Sequence, residues 1–523
     1  MMKKRFLSLP VVLLFLTALA CNTPLLSGEI DATEIAAEVF ATQTALAPTA
    51  TWTPDFTPTA TATPTITPTP EPVTVRVAPD GSGDYATLYD AVAEVPPNST
   101  LMLDPGTYTL DRTLTIEKGI ILIGAGKDQS LITGSPTEGN LVNFLGPGQL
   151  RVEGITFEYT GAVWGNVLRV EDGQIEIRSS RFTGGVWSDE EERGGDGILL
   201  QGNTTGTIES NQMDQNGLHG IELGGQANVT ISSNEMHDNG ENGIMYFGES
   251  GGTAENNFIH DNGLHGISAS SNAQVTLIGN TLQANSEVGI HLAGSIVGTV
   301  RENESTQNGL HGIDLMGQAN GNLEDNLTAD NVQSGIVFFE DSQGMVRNCT
   351  STGNGLHGIG VEDQAQVTLE NNTVQNNTES GIVFFGTSGG TVRFNQSTQN
   401  GLHGLSANDE STPTFEDNTC SENKNVGMRL SGTSNTIVRR NQCNGNGLSG
   451  LIVRQDAQST IENNVFNDNE EAGIAFFHNA SGLVKNNQCT GNQWGIYMEG
   501  TTNPILENNN VYGNSSGDIE DRR

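Results

Sequence analysis

The chain has 523 residues, of which 65 are glycine, 6% are aromatic and 16% are charged, with 23 Lys plus Arg against 62 Asp plus Glu and a formal net charge of −39. At roughly 150 residues per ordinary domain the length would hold three or four, but a glycine share well above the usual ~7% with so few aromatics points to one elongated body of repeated turns. The shortage of basic side chains excludes nucleic acid as a partner, because a polyanion binds by releasing its counterions to such groups; five cysteines, Cys21, Cys349, Cys420, Cys443 and Cys489, are too few and too dispersed for a disulfide framework or a Cys-rich zinc site.

Lys3, Lys4 and Arg5 precede an apolar run from Leu7 to Ala20 that is too short to span a bilayer, so residues 1–20 read as an export signal. The run ends Thr17-Ala18-Leu19-Ala20-Cys21, which resembles a bacterial lipobox. That resemblance implies lipidation of Cys21 and a membrane anchor. Ala18 stands where leucine is commonest, which keeps ordinary signal-peptidase cleavage open. Residues 21–73 include TQTALAPTATWTPDFTPTATATPTITPTPEP, a Thr/Pro tract that cannot bury a core and is expected to form an extended stalk. The expected location is therefore an exported, membrane-anchored lipoprotein facing the cell exterior or the periplasm.

Beyond the stalk the dominant feature is a repeat. Glycines stand at 197, 220, 243, 266, 289, 312, 335, 358, 381, 404, 427, 450 and 473, an unbroken step of 23, and an apolar residue follows each, from Ile198 and Ile221 to Leu451 and Ile474. An asparagine stands four places before each glycine from Gly220 onward, as Asn216 and Asn239 do. A second asparagine row, Asn211, Asn234, Asn257 and onward to Asn464, is interrupted once, by Cys349. Each unit thus predicts short strands between Asn/Gly turns. A leucine-rich repeat would need a leucine scaffold that is missing, and a propeller would need Trp-Asp signatures that are missing too. The pattern fits an all-β single-stranded parallel β-helix with about 23 residues per coil, coils stacked ~4.8 Å apart and identical positions in rows. Stacked asparagine amides then satisfy turn groups that would otherwise be buried and unpaired.

Residues 191–523 are the regular coils, and residues 74–190 are expected to form an N-terminal cap with irregular first coils. The segment VRVAPDGSGDYATLYDAVAEVPPNSTLMLDPGTYT, Val75 to Thr109, resembles the start of pectin methylesterases and mannuronan epimerases. From about Val73 onward the chain is similar to pectin lyase-like right-handed parallel β-helices of the Asn-rich, carbohydrate-binding and sugar-processing kind. The resemblance implies a short capping helix, Ala86 to Val95, N-capped by Asp84. It does not bring the family's catalytic signatures: QAxAL and DFIFG of the methylesterases, NTD, DD and GHG of the polygalacturonases, and DPHD of the epimerases do not occur. Val186-Trp187-Ser188-Asp189 is a short likeness to a pectate lyase motif without its histidine, and a lyase base would have to come from Arg151, Arg178, Arg181 or Arg193.

One break interrupts the coils, SDEEERGGDG from Ser188 to Gly197. Asp189, Glu191 and Asp196 there are candidate Ca²⁺ ligands, against the plainer reading of a solvated acidic loop. His219, His265, His311, His357 and His403 recur every second coil, too far apart for two of them to share a zinc ion, and read as turn side chains bonding the backbone. Cys420 and Cys443 occupy equivalent inward positions one coil apart, near enough for a disulfide to stay open. In the strand after each glycine, Ile336 and Phe338 point inward, so Val337 and Phe339 face out, and the same parity exposes Phe247, Phe385 and Phe477. These rings, with His291 and Arg429 as polar neighbours, are candidate sugar-stacking platforms; the alternative is that long turns fold over them. Two functions follow: a surface-anchored module that binds extracellular polysaccharide or mediates adhesion, or a polysaccharide lyase or C5-epimerase acting on polyuronides. The acidic surface would repel polyuronates unless Ca²⁺ bridged them.

Overall fold

The computed structural model describes residues 70–137 and 139–523; the segment expected to be an export signal, Cys21 and the expected stalk up to residue 69 lie outside the described residues. From Thr74 the chain winds in coils, each giving one strand to each of three parallel sheets. In the coil after Gly220 these strands are Ile221–Leu223 in the first sheet, Asn228–Ser232 in the second and Glu235–His237 in the third. Each strand pairs in parallel with its equivalent one coil later: Ile221 with Ile244, Asn228 with Gly251, Glu235 with Phe258. The second sheet has 19 strands and the first has 18.

The bends between strands explain the asparagine rows. The residue before each row member takes a left-handed conformation, as Ser233 does at φ 55° and Asp238 at φ 54°. This turns the chain sharply and points the next side chain inward. Asn280 shows the result: its Nδ2 donates to the Ala254 carbonyl at 2.9 Å and to Asn303 Oδ1 at 2.9 Å, while its Oδ1 accepts from N and Nδ2 of Asn257 at 3.0 and 2.9 Å. The second row repeats this from Asn216 to Asn514. The amides therefore run as ladders along the solenoid, satisfying bend groups that water does not reach. Between them the inward strand positions stack Ile, Leu, Val and Phe into one continuous core. Cys349, Cys420, Cys443 and Cys489 are buried there as free thiols, so the bridge left open between Cys420 and Cys443 is not formed.

The first coils are irregular. Ser99 pairs with Ile120, Ile120 with Leu150, Gln149 with Gln174 and Gln174 with Thr205, so successive coils take 21, 30, 25 and 31 residues before the step settles at 23 between Thr205 and Asn228. The coil from Gln174 carries an antiparallel hairpin, Trp187 opposite Gly194 and Ser188 opposite Arg193. The capping helix spans Leu88–Glu94 and buries Leu88, Ala91 and Val92. Its N-cap is Thr87, whose hydroxyl accepts the Asp90 N–H at 3.1 Å, and not Asp84. Asp84 is committed elsewhere, accepting the Arg76 N–H at 2.8 Å.

Candidate functional site

The outer face of the first sheet carries most of the convergent chemistry. Three side-chain positions build it: the residue before each repeat glycine, and the second and fourth residues after it.

The residue before the glycine forms a third ladder. Its side chain accepts the backbone N–H of the equivalent residue one coil on: His219 N to Asp196 Oδ1, Asn242 N to His219 Nδ1, His265 N to Asn242 Oδ1 and Val288 N to His265 Nδ1, all at 3.2–3.3 Å. His311 and His357 accept from Ser334 and Ser380 in the same way. His219, His265, His311 and His357 are thus turn side chains bonding the backbone, whereas His403 Nδ1 is buried without a partner, and an accepting Nδ1 places the proton of the neutral ring on Nε2. Burial keeps them neutral, pulling His219 down to about 3 and His265 to about 4.

The fourth position holds the aromatic row. Phe247 is 52% exposed, whereas Phe339, Phe385 and Phe477 are half-buried. Phe339 meets the edge of His311 at 5.8 Å between centroids, and Phe385 tilts against His357 at 6.0 Å. Val337 faces out by parity yet is only 1% exposed, a departure from the expectation, because it lies on the strip between those two rings. His291 also lies on this face, stacked on His265 at 4.5 Å and bonded through Nδ1 to Asp314 Oδ1 at 2.7 Å. Phe477 ends the row in a cleft of about 390 Å³ with Trp494, Tyr497 and Arg522. There Phe477 lies 5.7 Å from Tyr497, and the Arg522 guanidinium stands 5.4 Å from the Tyr497 ring.

At the other end a cleft of about 350 Å³ is walled by Trp164 and Trp187. Arg193 stacks over Trp164 at 4.3 Å. Here the expected calcium set divides. Asp189 and Glu191 stay on the exposed hairpin, Asp189 accepting from Trp187 Nε1 at 3.0 Å and Glu191 pairing with Arg193 at 2.5 Å. Asp196 is 2% exposed and instead joins His219 and Glu222, with ligand atoms all within 4.8 Å of one another. This group was missed from sequence, although Asp196 precedes Gly197 as His219 precedes Gly220 and so shares its row. Burial, reinforced by Glu222, raises the Asp196 carboxyl well above the usual range, and burial with Glu241 raises Glu222. The pair therefore holds a proton to higher pH than separate carboxyls would.

The arginines considered as lyase bases are engaged elsewhere. Arg151 and Arg178 pair with Glu153 and Glu176 on the second sheet, and Arg181 pairs with buried Asp214 on the third. The bond to Asp214 raises the Arg181 guanidinium above its ordinary value, which makes it a poor base. Among the four, only Arg193 lines the Trp-walled cleft.

Comparison with known proteins agrees with the coil architecture. One curated relative, a pectinesterase/pectinesterase inhibitor of Ficus pumila var. awkeotsang, is 42% identical over 64 residues, 11% of this chain and 12% of that protein. Solved structures with similarity include the pre-mature bacteriophage phi29 gene product 12 (12% identity, 78% of this chain and 70% of that one, TM-score 0.41). Another is the A-module of the Azotobacter vinelandii mannuronan C-5 epimerase AlgE6 (14% identity, 83% of this chain and 94% of that one, TM-score 0.28). The family described as right handed beta helix region matches residues 166–295, 265–407 and 387–516, well over half of the sequence. The chain belongs to the right-handed β-helix family.

Proposed function

We propose that the protein is an exported, lipid-anchored module that binds polysaccharide along the outer face of the first sheet. The observation that carries this reading is the aromatic row. Phe339 and Phe385 stand two coils, ~9.6 Å, apart and each rests on a histidine two rows away. That spacing is close to a disaccharide in an extended chain, and an aromatic face held by a polar neighbour suits the apolar face of a sugar ring. The row ends in the Phe477–Tyr497 cleft, so one glycan strand can follow the sheet from coil to coil. Calcium enters at the Asp196–Glu222 end, where two carboxylates converge. The test is retention of the full chain on neutral and acidic polysaccharides with and without Ca²⁺; a protein retained on none of them is not a glycan-binding module.

The Asp196–Glu222 pair favours a second reading, in which the Trp-walled cleft processes the chain it binds. Two carboxyls of raised pKa can divide the roles of acid and base on a polysaccharide. Release of reducing ends or unsaturated product, abolished by Asp196→Asn, supports it; glycan retained for hours and recovered uncut overturns it.

A further inference from the structure

The ion pairing of the arginines has one exception. Every arginine among the described residues sits in an ion pair except Arg429 and Arg454, as in Arg347 with Glu324, Arg393 with Glu370 and Arg439 with Glu416. In a chain of net charge −39 with 23 basic side chains, two unpaired guanidiniums side by side call for an explanation.

They stand on the same groove. Arg429 is the central residue of the strand Met428–Leu430, in register with Ser406 before it and Ile452 after it. Arg454 follows the next strand, Leu451–Val453, so the two are diagonal neighbours on the outer face. Both are half-buried. Arg454 Nε is buried with no hydrogen-bond partner, and so is Nδ1 of His403, one coil before Arg429. The three groups feel one another: burial first, then Arg429 and Arg454, holds the His403 ring down to about 4, and burial with Arg454 lowers Arg429. The side chains between and before them, Ser406, Asn408 and Ser431, are neutral and bonded among themselves, Ser431 Oγ to Asn408 Oδ1 at 2.8 Å. Two acids of the adjoining coils are engaged elsewhere: Asp409 accepts the Gly386 N–H at 3.1 Å, and Glu471 lines the Phe477 cleft. Leaving half-buried cations unpaired is costly unless a ligand anion completes them, and the planar guanidinium fork suits a two-oxygen group.

We propose that Arg429 and Arg454 recognise the oxyanion of an acidic sugar, a carboxylate or a sulfate ester, within the glycan groove. The pair lies between Phe385, two coils before Arg429, and Phe477 and Tyr497, beyond Arg454. An acidic residue seated on the arginines thus has stacking platforms for its neighbours on both sides. The proposal rests on the groove being a glycan site and adds its specificity. It also removes the need for calcium, because the anion meets cations directly despite the acidic remainder of the surface.

The experiment measures affinity of the full chain, in EDTA, for oligogalacturonate, dextran sulfate and neutral dextran. Wild type is expected to bind an acidic glycan more tightly than dextran, with an affinity that falls as salt rises. Arg429→Gln with Arg454→Gln should weaken acidic-glycan binding about tenfold or more, since charge-assisted bonds to both guanidiniums are lost. The charge-matched control Arg347→Gln with Arg393→Gln should change it less than about twofold, because those arginines are already paired with Glu324 and Glu370 on the second sheet, away from this face. Arg429→Lys with Arg454→Lys, which keeps the charge, should recover part of the loss, and unchanged melting temperatures show that all variants fold. Preference for oligogalacturonate identifies a carboxylate, and preference for dextran sulfate identifies a sulfate. Acidic glycans bound no better than dextran, or bound equally by the Gln double variant, overturn the proposal. If dextran binding persists in that case and depends on Phe339 and Phe385, the groove stands and only its anion specificity falls. If no glycan binds, both fall.

Discussion

Cys349 is the one break in the first asparagine ladder, and restoring it tests how much that ladder contributes. An interior member such as Asn280 takes part in four side-chain hydrogen bonds at 2.9–3.0 Å. At Cys349 these shrink to long sulfur contacts, 3.7 Å from Asn326 Nδ2, 3.7 Å to the Leu323 carbonyl and 3.4 Å to the Arg347 carbonyl. The Asn326 N–H finds no side-chain oxygen there, although its row mates each have one. The backbone is already in place, for the Cys349 N–H donates to Asn372 Oδ1 at 2.9 Å as an asparagine would. Cys349→Asn should therefore form four bonds of about 0.5–1 kcal/mol each, less about 1 kcal/mol for placing an amide where a thiol was buried, a net gain of about 1–3 kcal/mol. Equilibrium unfolding in denaturant reads the gain. Hydrogen exchange of the peptide containing Asn326 reads its local origin, because that amide should become protected. Lower stability, or an Asn326 amide that exchanges as fast as before, would show that the ladders are a consequence of the coil and not a source of its stability.

Phe394 holds a left-handed φ of 58° at a bend where most row mates are Asn, Asp, Ser or Gly, Glu302 and Arg440 being the other departures, and it is 49% exposed; Phe394→Asn should stabilise by about 0.5–1 kcal/mol in the same unfolding assay, and a loss would refute the strain. His265 is held below its ordinary value of 6.5, at about 4, so between those values the unfolded chain binds more protons and stability falls as pH falls. His265→Asn keeps an acceptor for Val288 N, as Asn242 is for His265 N, so the melting temperature near neutral pH should hold while part of its fall toward pH 4 disappears; an unchanged fall contradicts the burial argument. Any calorimetric Ca²⁺ heat should survive Asp189→Ala with Glu191→Ala and vanish in Asp196→Asn, and the reverse order would return the cation to the hairpin.

The solenoid was legible because its determinants are local and repeated. A glycine every 23 residues with a following apolar residue sets the coil, and the asparagines before it set the bends. The helix cap was misread because Asp84 and Thr87 are both acceptable caps by type. Only the fold shows that the Asp84 carboxylate is taken by the Arg76 N–H. Outward parity placed Phe339 and Phe385 on the outer face of the first sheet, where they are half-buried, but parity carries no information on what lies across a strand, hence the buried Val337. The Trp-walled cleft joins Trp164, Trp187 and Glu222 across coils of unequal length, which a fixed period cannot align. The unpaired state of Arg429 and Arg454 is a sum over neighbours in space and has no sequence signal.

The account stands on the outer face of the first sheet being a glycan-binding groove. The direct measurement is retention on the polysaccharide that wild type binds best, comparing wild type with Phe339→Ala plus Phe385→Ala, alongside the melting temperature of each. Both rings are half-buried on the outer face and outside the core, so the double variant should lose retention while its melting temperature stays close to that of wild type. Retention left intact, with a large drop in melting temperature, would make the two rings part of the packing and contradict the groove.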